Sequence, residues 1–417
     1  MGLEVAPVMA VALFYGVAGL LHAILPAYSV DGYACDWSGN SLRYRLNGPL
    51  VLVVTWLAWL ALPLSGRSFA ARHFWSCSLA SSGLGLVASA WLLATGKRAP
   101  AVRCLTVDQT ELRRKAATGE DVQHLITHSP PRTALQHFFF GVEFNPRVLG
   151  ERVDLKMLLY VLGAVGLQWN VLSAAALQQE TYGAVSSAMV LYAAMLSFFI
   201  GEYMLGEVVH LYTYDLFCEK LGFKLAWGCL AFYPFFYCIG IWPLVASSAS
   251  PGQDLSPIAC ATIAMLFGSG WVLTRGANMQ KFVFKRRALP QSQQQPADAK
   301  CAGPSAGLLE QQSRWMGLRM DVVPGTRLLC TGFWGAARHI NYLGEIVQAV
   351  ALALPGALMA PPFLYYMILP WLYPLYFVAL FVPRQIDDDG QLLAKYGEAA
   401  FNDYVSRVPY RILPGVW

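Results

Sequence analysis

Long apolar runs separated by shorter polar segments dominate this chain. Nine of the runs have few charges and reach about 18 residues, the length that an α-helix needs to cross the hydrocarbon core of a bilayer. The apolar part of 133–146 is too short to span a bilayer alone. The pattern therefore predicts an all-α, polytopic membrane protein with about nine or ten transmembrane helices. The predicted spans are 7–27, 48–65, 76–96, 157–178, 184–205, 224–247, 256–274, 341–359 and 361–382.

The composition agrees with this class. Of the 417 residues, 56% are hydrophobic and 13% are charged, whereas soluble domains carry about 25% charged residues. The first run is too long, and its flank too poor in basic residues, for a cleaved signal peptide, so we expect a retained helix. The net charge of +5 is ordinary for a membrane protein, and we expect a lipid bilayer and no nucleic acid among its partners.

Three polar segments, 97–133, 281–330 and 383–417, interrupt the apolar runs. Each carries several Lys and Arg residues, and the positive-inside rule predicts that all three are cytoplasmic. A low-complexity stretch at Gln291–Pro296 indicates a flexible loop over 288–312. No separate soluble domain is visible, so a cofactor site would be built from helix ends and these segments.

The chain lacks the signatures of several enzyme classes. It has no G-x-G-x-x-G after a strand, no phosphate-binding G-x-x-x-x-G-K-[ST], no H-E-x-x-H and no G-x-S-x-G. Its nine cysteines are scattered and form no C-x-x-C pair. They predict small buried side chains, and we expect no metal site.

The segment Gly332–Glu345 is unusually polar for the start of an apolar run. Ionisable groups at membrane depth usually face a cavity or a bound ligand. The Trp334 indole, the Asn341 amide and the Tyr342 phenol suit an adenine or nicotinamide ring. The alternative is a buried structural network between two helices. If the segment is one helix, a single face carries residues at i, i+4, i+7 and i+11, namely Trp334, Arg338, Asn341 and Glu345.

A second polar face lies at the end of the span 256–274. Arginine and lysine there suit the pyrophosphate and the 2′-phosphate of a dinucleotide. The alternative is that these cations only anchor the helix end by snorkelling. Snorkelling explains the amide of Asn278 less well, because an uncharged amide gains little from it. The face consists of Arg275, Asn278, Lys281 and Lys285.

A run of three acids, Asp387–Asp389, directly follows the last apolar span. Such a run is usually solvated, or it lies at a helix N-terminus. At the mouth of a cavity, however, an acid with a raised pKa would serve as a proton donor. Asp388, Leu392, Lys395 and Tyr396 would share one helical face. Another polar group, around Glu202, Tyr203, Glu207, His210 and Asp215, follows the span 184–205, and alone it is more typical of a structural site.

Taken together, these residues resemble the sterol reductase family, which includes delta-14 sterol reductase, 7-dehydrocholesterol (delta-7) reductase, delta-24(28) sterol reductase and the lamin B receptor membrane domain. The resemblance covers nearly the whole chain and implies one membrane domain over 1–417. We expect amino-terminal spans in 1–205 and a cofactor- and substrate-binding half in 206–417. The matching motifs are Leu42–Gly48, Gly141–Arg147, Thr213–Asp215, Arg275–Lys281, Gly332–Tyr342, Lys395–Gly397 and Val408–Ile412.

The resemblance implies that NADPH is the cofactor and that an alkene is protonated before a hydride is delivered. Asp388 matches the family acid. The implied NADPH contacts, together with Arg275 from the basic face, are Lys281, Lys285, Leu329, Trp334, Asn341, Tyr342, Asp388, Leu392, Lys395, Tyr396 and Tyr404.

The chain departs from the family pattern at informative positions. Phe199 stands where many members have a tyrosine, so Tyr203 or Glu202 would have to donate the proton. Pro383–Asp389 lacks a histidine and one acid of the family motif, and one extra residue separates Tyr396 from Tyr404.

We therefore expect an NADPH-dependent sterol reductase of the endoplasmic reticulum, acting on the delta-14 bond of a sterol. Reduction at delta-7 or delta-24(28), or of a related steroid or terpenoid, is the nearest alternative. A second class is an isoprenylcysteine-methyltransferase-like enzyme that uses S-adenosylmethionine, although Ile340 replaces the usual proline of its motif. A third class is a non-catalytic sterol-binding protein.

Overall fold

The computed structural model describes residues 5–36, 38–97, 113–115, 117–119, 133–247, 254–287 and 314–417. The predicted flexible loop at 288–312 and most of the polar segment 97–133 lie outside these described residues.

Helices dominate the described chain, as the all-α class predicts. Each long helix coincides with an apolar run, because a run of this length can satisfy its backbone in a bilayer only by helical hydrogen bonding. The helices are α1 Val5–Ile24, α2 Gly48–Leu60, α3 Leu64–Arg67, α4 Phe69–Arg72, α5 Phe74–Thr95, α6 Ala134–Phe140, α7 Leu155–Tyr182, α8 Ser187–Leu205, α9 Glu207–His210, α10 Tyr214–Phe217, α11 Phe223–Ala246, α12 Pro257–Arg287, α13 Phe333–Ala336, α14 Ile340–Leu358, α15 Leu364–Tyr396 and α16 Glu398–Arg407. Helix α11 contains a π-helical turn at Gly228–Phe232 and a 3₁₀ turn at Ile239–Ile241.

Eight helices in the described part of the chain are long and apolar enough to cross a membrane: α1, α5, α7, α8, α11, α12, α14 and α15. The chain is therefore a multi-pass helical membrane protein, which confirms the predicted class. The predicted span 48–65 contains only the 13 residues of α2 in a single helix. Pro63 lacks a backbone N–H and cannot extend α2, so the chain restarts in the short helices α3 and α4.

Short β-hairpins, which the apolar pattern does not indicate, also occur. The strands β1 Tyr28–Cys35 and β2 Ser41–Leu46 pair antiparallel, with Tyr28 opposite Leu46 and an irregularity between Asp31 and Cys35. Two further pairs join β3 Arg147–Val148 to β4 Val153–Asp154, and β5 Arg314–Trp315 to β6 Leu318–Arg319.

The chain forms two compact units. The first comprises 1–264 and 352–373, and the second comprises 265–351 and 374–417. Their boundaries fall inside α12, α14 and α15. The division of a single domain between 205 and 206 stays a prediction.

In the first unit, α7 is the most buried membrane helix, because 78% of its 18-residue apolar stretch is buried. It packs against α8 and α11. Close packing with α11 depends on small residues, since a Cβ atom at Gly163 would lie 2.6 Å from the Cys229 carbonyl oxygen.

In the second unit, α12 and α14 cross at glycines. A Cβ atom at Gly270 would lie 2.7 Å from the Gly344 carbonyl oxygen and 2.8 Å from the Gln348 backbone nitrogen. The Thr274 hydroxyl donates to the Asn341 carbonyl at 3.1 Å across the same crossing. The adjoining core contains Ala277, Met320, Leu329, Trp334, Ala337 and Ile340.

Candidate functional site

The polar segment at Gly332–Glu345 is not one helix, so the predicted stripe along it is wrong. Helix α13 ends at Ala336, and Ala337 is extended, with φ −157° and ψ 152°. Helix α14 begins only at Ile340. The backbone N–H of Arg338 and that of His339 donate to the carbonyls of Tyr410 and Arg411, at 2.9 and 2.7 Å. These donors are therefore not available for helical hydrogen bonds, so Trp334 lies in α13 and Arg338 lies in the connection between α13 and α14.

Arg338 is a buried structural cation. Its Nε and Nη2 atoms donate to the two carboxylate oxygens of Asp389 at 3.2 and 3.0 Å. Its Nη1 atom donates to the carbonyls of Val408 and Pro409 at 2.8 and 2.9 Å. Because both charges are buried and paired, this part of the segment matches the structural network that the sequence left open as an alternative.

Tyr342 and Asp388 form an acid–phenol pair. The Tyr342 hydroxyl donates to Asp388 Oδ2 at 2.7 Å. The His339 and Phe381 rings both stack nearly parallel to the pair's phenol ring, with centroids 5.1 and 4.3 Å away. The Asp388 side chain is 31% exposed, whereas that of its neighbour Asp389 is 9% exposed. Of these two acids, Asp388 is thus the more accessible to a bound molecule.

Lys281 and Trp334 form a second pair. Lys281 Nζ lies 4.7 Å from the centroid of the Trp334 ring, and the indole N–H donates to the Ala277 carbonyl at 2.9 Å. The buried amide of Gln280 fixes the loop that carries the indole, because it donates to the Thr331 carbonyl and accepts from the Phe333 N–H. The Trp334 indole is only 7% exposed and belongs to the core of the second unit, so the exposed member of this pair is Lys281.

Asn341 carries an amide that was predicted to contact the cofactor. Its Nδ2 atom donates to Asn278 Oδ1 at 3.5 Å. Its Oδ1 atom is buried and has no hydrogen-bond partner among the described residues. An unpaired buried acceptor costs free energy unless a ligand or water donates to it.

The structure places the remaining predicted cofactor residues in the second unit as well. Leu329 is buried beside Trp334, and Arg275 and Lys285 are half-buried on α12. Lys395 is exposed at the end of α15, with its ammonium 5.4 Å from the centroid of the Tyr396 ring. Leu392 and Tyr396 are half-buried against a cluster of Val323, Leu328, Tyr404 and Val408.

Tyr404 lies within that cluster and is only 4% exposed. Burial raises the pKa of its phenol well above the usual value. Its ring is therefore a neutral part of the core, and a cofactor contact at Tyr404 stays a prediction.

The predicted proton donors Tyr203 and Glu202 lie in the first unit, near the end of α8. The Tyr203 ring stacks against His210 with centroids 3.8 Å apart, and His210 Nε2 lies 2.9 Å from the Tyr203 carbonyl oxygen. Nearby, the Tyr160 hydroxyl donates to Asp215 Oδ2 at 3.1 Å. The two predicted donors are half-buried, and their catalytic role stays a prediction.

Other polar residues of the first unit stabilise its fold. Lys156 Nζ donates to the carbonyls of Asp215 and Leu216 at 2.7 and 3.3 Å and also to that of Glu219. Both carboxylate oxygens of Glu207 accept the Gly48 N–H at 3.1 Å, at the N-terminus of α2. Loss of hydration raises the pKa of the Glu207 carboxyl to about 7, and its hydrogen bond from Gly48 opposes the shift.

The sequence pattern did not predict that Gln280 would hold the loop before α13, or that Asp389 would pair with Arg338. For Asp389 the run of acids was itself a signal. Adjacent helical residues point about 100° apart, so Asp388 and Asp389 must reach different partners. Gln280 gave no comparable signal, because its role depends on the loop that folds back over α12. Among the described residues, no group of three His, Cys, Asp or Glu side chains could hold a metal ion.

Comparison with known proteins gives a consistent result. A plant delta(14)-sterol reductase from Arabidopsis thaliana is 27% identical over 409 residues, which is 97% of this chain and 94% of that protein. A delta(14)-sterol reductase from Mus musculus is 33% identical over 290 residues, 68% of this chain and 60% of that protein. The 7-dehydrocholesterol reductase of Xenopus laevis is 28% identical over 418 residues, 97% of this chain and 77% of that protein.

The family model described as the ergosterol biosynthesis ERG4/ERG24 family matches residues 5–417. This match spans all the membrane helices and every residue discussed above. The chain therefore belongs to the ergosterol biosynthesis ERG4/ERG24 family.

Proposed function

We propose that this protein is an NADPH-dependent sterol reductase that saturates a carbon–carbon double bond of a sterol, and we favour the delta-14 bond. The reaction adds a proton from an acid and a hydride to the two carbons of the alkene. We place it in sterol biosynthesis, in the membrane of the endoplasmic reticulum, with a sterol drawn from the bilayer as its substrate.

One observation carries the proposal. Asp388, a partly exposed acid, is held by the Tyr342 hydroxyl at 2.7 Å, on a phenol that two stacked rings fix in place. An isolated alkene is a poor hydride acceptor, so its reduction needs a positioned acid. An oriented carboxyl with some access to a ligand meets that requirement.

The cofactor proposal is supported by the chemistry of the second unit. Lys281, Lys285 and Arg275 on α12 supply the cations that phosphates require. The buried Trp334 ring supports the Lys281 ammonium, and the unpaired Oδ1 atom of Asn341 can accept from an amide N–H. These residues fit a phosphorylated dinucleotide, and NADPH, when bound, supplies the hydride. Lys395 adds an exposed cation at the end of α15.

The protein's own groups have separate roles in this proposal. Asp388 holds the proton that is added to the alkene, and Tyr342 fixes the direction of its carboxyl. Arg338 and Asp389 hold the segment that carries these groups, through the buried pair between them. Tyr203 and Glu202, in the first unit, are the alternative proton donors.

The delta-14 bond is favoured for two reasons. The motif at Arg338–Gly344 resembles that branch of the family, and proteins named delta(14)-sterol reductase from a plant, a mammal and a bacterium are among the relatives. Relatives named 7-dehydrocholesterol reductase keep delta-7 as the nearest alternative.

The test uses membranes that contain the full chain. They are incubated with NADPH and separately with delta-14, delta-7 and delta-24(28) sterols, and the products are followed by mass spectrometry. We expect a product two mass units heavier from the delta-14 sterol, and weaker turnover with NADH. No product from any of these sterols, or binding of S-adenosylmethionine in place of NADPH, would overturn the proposal.

The acid has a matched control on the same helix. Asp388→Ala is expected to abolish most turnover, whereas Asp387→Ala, which changes an exposed neighbouring acid, should leave it nearly unchanged. Full turnover of the Asp388 variant would show that Asp388 is not required and would shift the proton donor to Tyr203 or Glu202.

A further inference from the structure

His339 is a buried ring that lies between two acids of α15. Its Nδ1 atom is 3.8 Å from Asp388 Oδ2, and its Nε2 atom is 3.6 Å from Asp389 Oδ1. The His339 side chain is only 8% exposed. Its Nε2 atom is buried and has no hydrogen-bond partner of good geometry among the described residues. An imidazole with a carboxylate near each nitrogen is arranged to hold a proton and to pass it on.

The chain holds the His339 ring in one orientation. The backbone N–H of His339 donates to the Arg411 carbonyl at 2.7 Å, and its carbonyl accepts from the Tyr342 N–H at 3.0 Å. The imidazole also stacks on the Tyr342 phenol at an interplanar angle of 13°. Because both the backbone and the ring are fixed, the two nitrogens keep facing Asp388 and Asp389.

The two acids have different surroundings. Asp389 is paired with Arg338 at 3.0 Å and lies 3.4 Å from Arg411, so its negative charge is compensated and permanent. Asp388 is 31% exposed and interacts electrostatically with Lys281 of α12. A fixed carboxylate near Nε2 favours the tautomer that keeps a proton on that nitrogen. The Nδ1 atom is then the position that gains and loses a proton, and it faces Asp388.

We infer that His339 supplies Asp388 with the proton that this acid gives to the alkene, an inference that rests on the proposed function. An ordinary carboxyl is ionised at neutral pH, so an acid that protonates an alkene needs a source of protons beside it. The His339 Nδ1–H bond breaks and an Asp388 Oδ2–H bond forms, which leaves a neutral imidazole. The imidazole takes its next proton from water when the site is open, so each turnover consumes one solvent proton.

His339 thus acts through Asp388 and need not touch the sterol. The separations of 3.8 and 3.6 Å are longer than hydrogen bonds, as is common for such contacts before a ligand is bound. The competing role for His339 is packing alone, as a flat support for the Tyr342 ring. The two roles differ in their dependence on pH, because packing does not require a proton.

Two variants of the full chain in membranes separate these roles. His339→Phe keeps a ring that can stack on Tyr342 but removes both nitrogens, whereas His339→Gln keeps a polar side chain that cannot hold a proton. With the sterol that the parent protein reduces, either change should lower turnover at pH 7.5 roughly 100-fold, the lower end of the effect of a positioned acid. The Michaelis constant for NADPH should stay within about twofold, because no group that binds the cofactor is changed.

The pH profile of turnover decides between proton supply and packing. An imidazole changes charge between about pH 5 and pH 8. At pH 5 water can protonate Asp388 without help, so the ratio of parent to variant turnover should be about tenfold or more smaller at pH 5 than at pH 8. His73→Gln is the matched control, because His73 lies in the first unit between α4 and α5, and it should follow the parent protein at every pH. A ratio that is constant over this range would overturn the inference.

A second measurement needs neither a cofactor nor turnover. Infrared difference spectra between pH 5 and pH 8 contain the ring bands of histidines that change charge, and these bands should lose intensity in His339→Gln. Unchanged bands would overturn the inference. Parent membranes that reduce no sterol would instead overturn the proposed function, and the infrared result would still decide whether His339 carries a proton. Melting curves establish which variants are folded, and one folded variant at His339 is sufficient.

Discussion

The side chain of Tyr342 both packs against neighbouring rings and donates a hydrogen bond to an acid. Its ring lies nearly parallel to that of Phe381, at an interplanar angle of 7°, and nearly parallel to that of His339, at 13°. Its hydroxyl is thereby directed at Asp388. Burial of the ring secures the orientation, and the phenol oxygen supplies a donor to a carboxylate.

The first prediction separates these two functions. Tyr342→Phe keeps the ring stacking but removes the donor to Asp388, a hydrogen bond to an acid worth about 1.5–3 kcal/mol. We expect turnover with NADPH and a delta-14 sterol to fall about 10- to 100-fold, with a melting temperature close to that of the parent protein. A Tyr342→Phe protein with parental turnover would contradict a role for the phenol.

The second prediction concerns pH. The Glu207 carboxyl has a pKa of about 7 in the folded protein, above its ordinary value of 4.5, because burial disfavours the charged form. The folded state therefore binds the proton more tightly than the unfolded state. The free energy of unfolding should fall between pH 4.5 and pH 7, by up to about 3 kcal/mol, and level off above that range.

The measurement is a comparison of melting temperatures at pH 5.5 and pH 8. Glu207→Gln should lose this part of the pH dependence, whereas Glu398→Gln, at an exposed acid at the start of α16, should keep it. Equal pH dependence in the parent protein and the Glu207 variant would show that this carboxyl does not titrate as described.

At the level of elements, the crossing of α12 and α14 depends on small residues. Gly270 faces the backbone of α14, whereas Gly268, two residues earlier on α12, has nothing within 4 Å of its Cβ position. The crossing brings the cation-bearing end of α12 to the segment that precedes α14. Packing at one turn of a helix therefore sets where Lys281 lies relative to Trp334.

The third prediction uses this pair of glycines. Gly270→Ala should lower stability by about 1–3 kcal/mol, because the added methyl group overpacks a tight crossing. Gly268→Ala should be neutral or slightly stabilising, since alanine favours a helix over glycine. Melting temperatures of the two variants provide the check, and equal effects at both positions would refute the close crossing.

The sequence predicted the long elements well for a physical reason. An apolar run of sufficient length has few alternatives in a bilayer, so α5, α7, α8 and α14 lie within a few residues of their predicted ranges. The helices that carry Lys281 and Asp388 end at Arg287 and Tyr396, 13 and 14 residues beyond the predicted spans 256–274 and 361–382. Where local periodicity and long-range contacts compete, prediction fails.

The segment around Arg338 is the clearest failure. A helical period placed Trp334, Arg338 and Asn341 on one stripe, but the tail at 408–411 offers carbonyls that take the backbone donors of Arg338 and His339. Those carbonyls are about 70 residues away in the sequence, so no local pattern reveals them. The hairpin β1–β2 was also missed, because its strands lie between the predicted spans 7–27 and 48–65, outside the long apolar runs.

At the level of the whole molecule, the second unit is closed by its own carboxy-terminal residues. Arg338 binds Asp389 on α15 and two carbonyls beyond α16, so a single side chain joins three parts of the unit. Arg411 adds a further contact to Asp389 at 3.4 Å. The proposed cofactor site thus depends on a segment that need not touch the cofactor.

The fourth prediction tests this closure. Arg338→Gln leaves Asp389 buried with less compensation, and loss of one partner of a buried ion pair costs about 3–5 kcal/mol. We expect a large fall in melting temperature and rapid proteolysis after residue 407. Arg407→Gln, which breaks an exposed pair with Asp403, should change neither measurement appreciably. Equal protease resistance in both variants would exclude Arg338 as the link to the tail.

The bond from Arg338 to Val408 also imposes an order on the protein's synthesis. A ribosome must extend the chain by 70 residues from Arg338, including the long helix α15, before the carbonyls that Arg338 requires exist. Until then the segment at Trp334–His339 has unpaired backbone donors and cannot take its final form. Maturation of the proposed cofactor site is therefore a late event, completed after membrane insertion of most of the chain, and a premature stop near residue 407 would be as damaging as a change at the site itself.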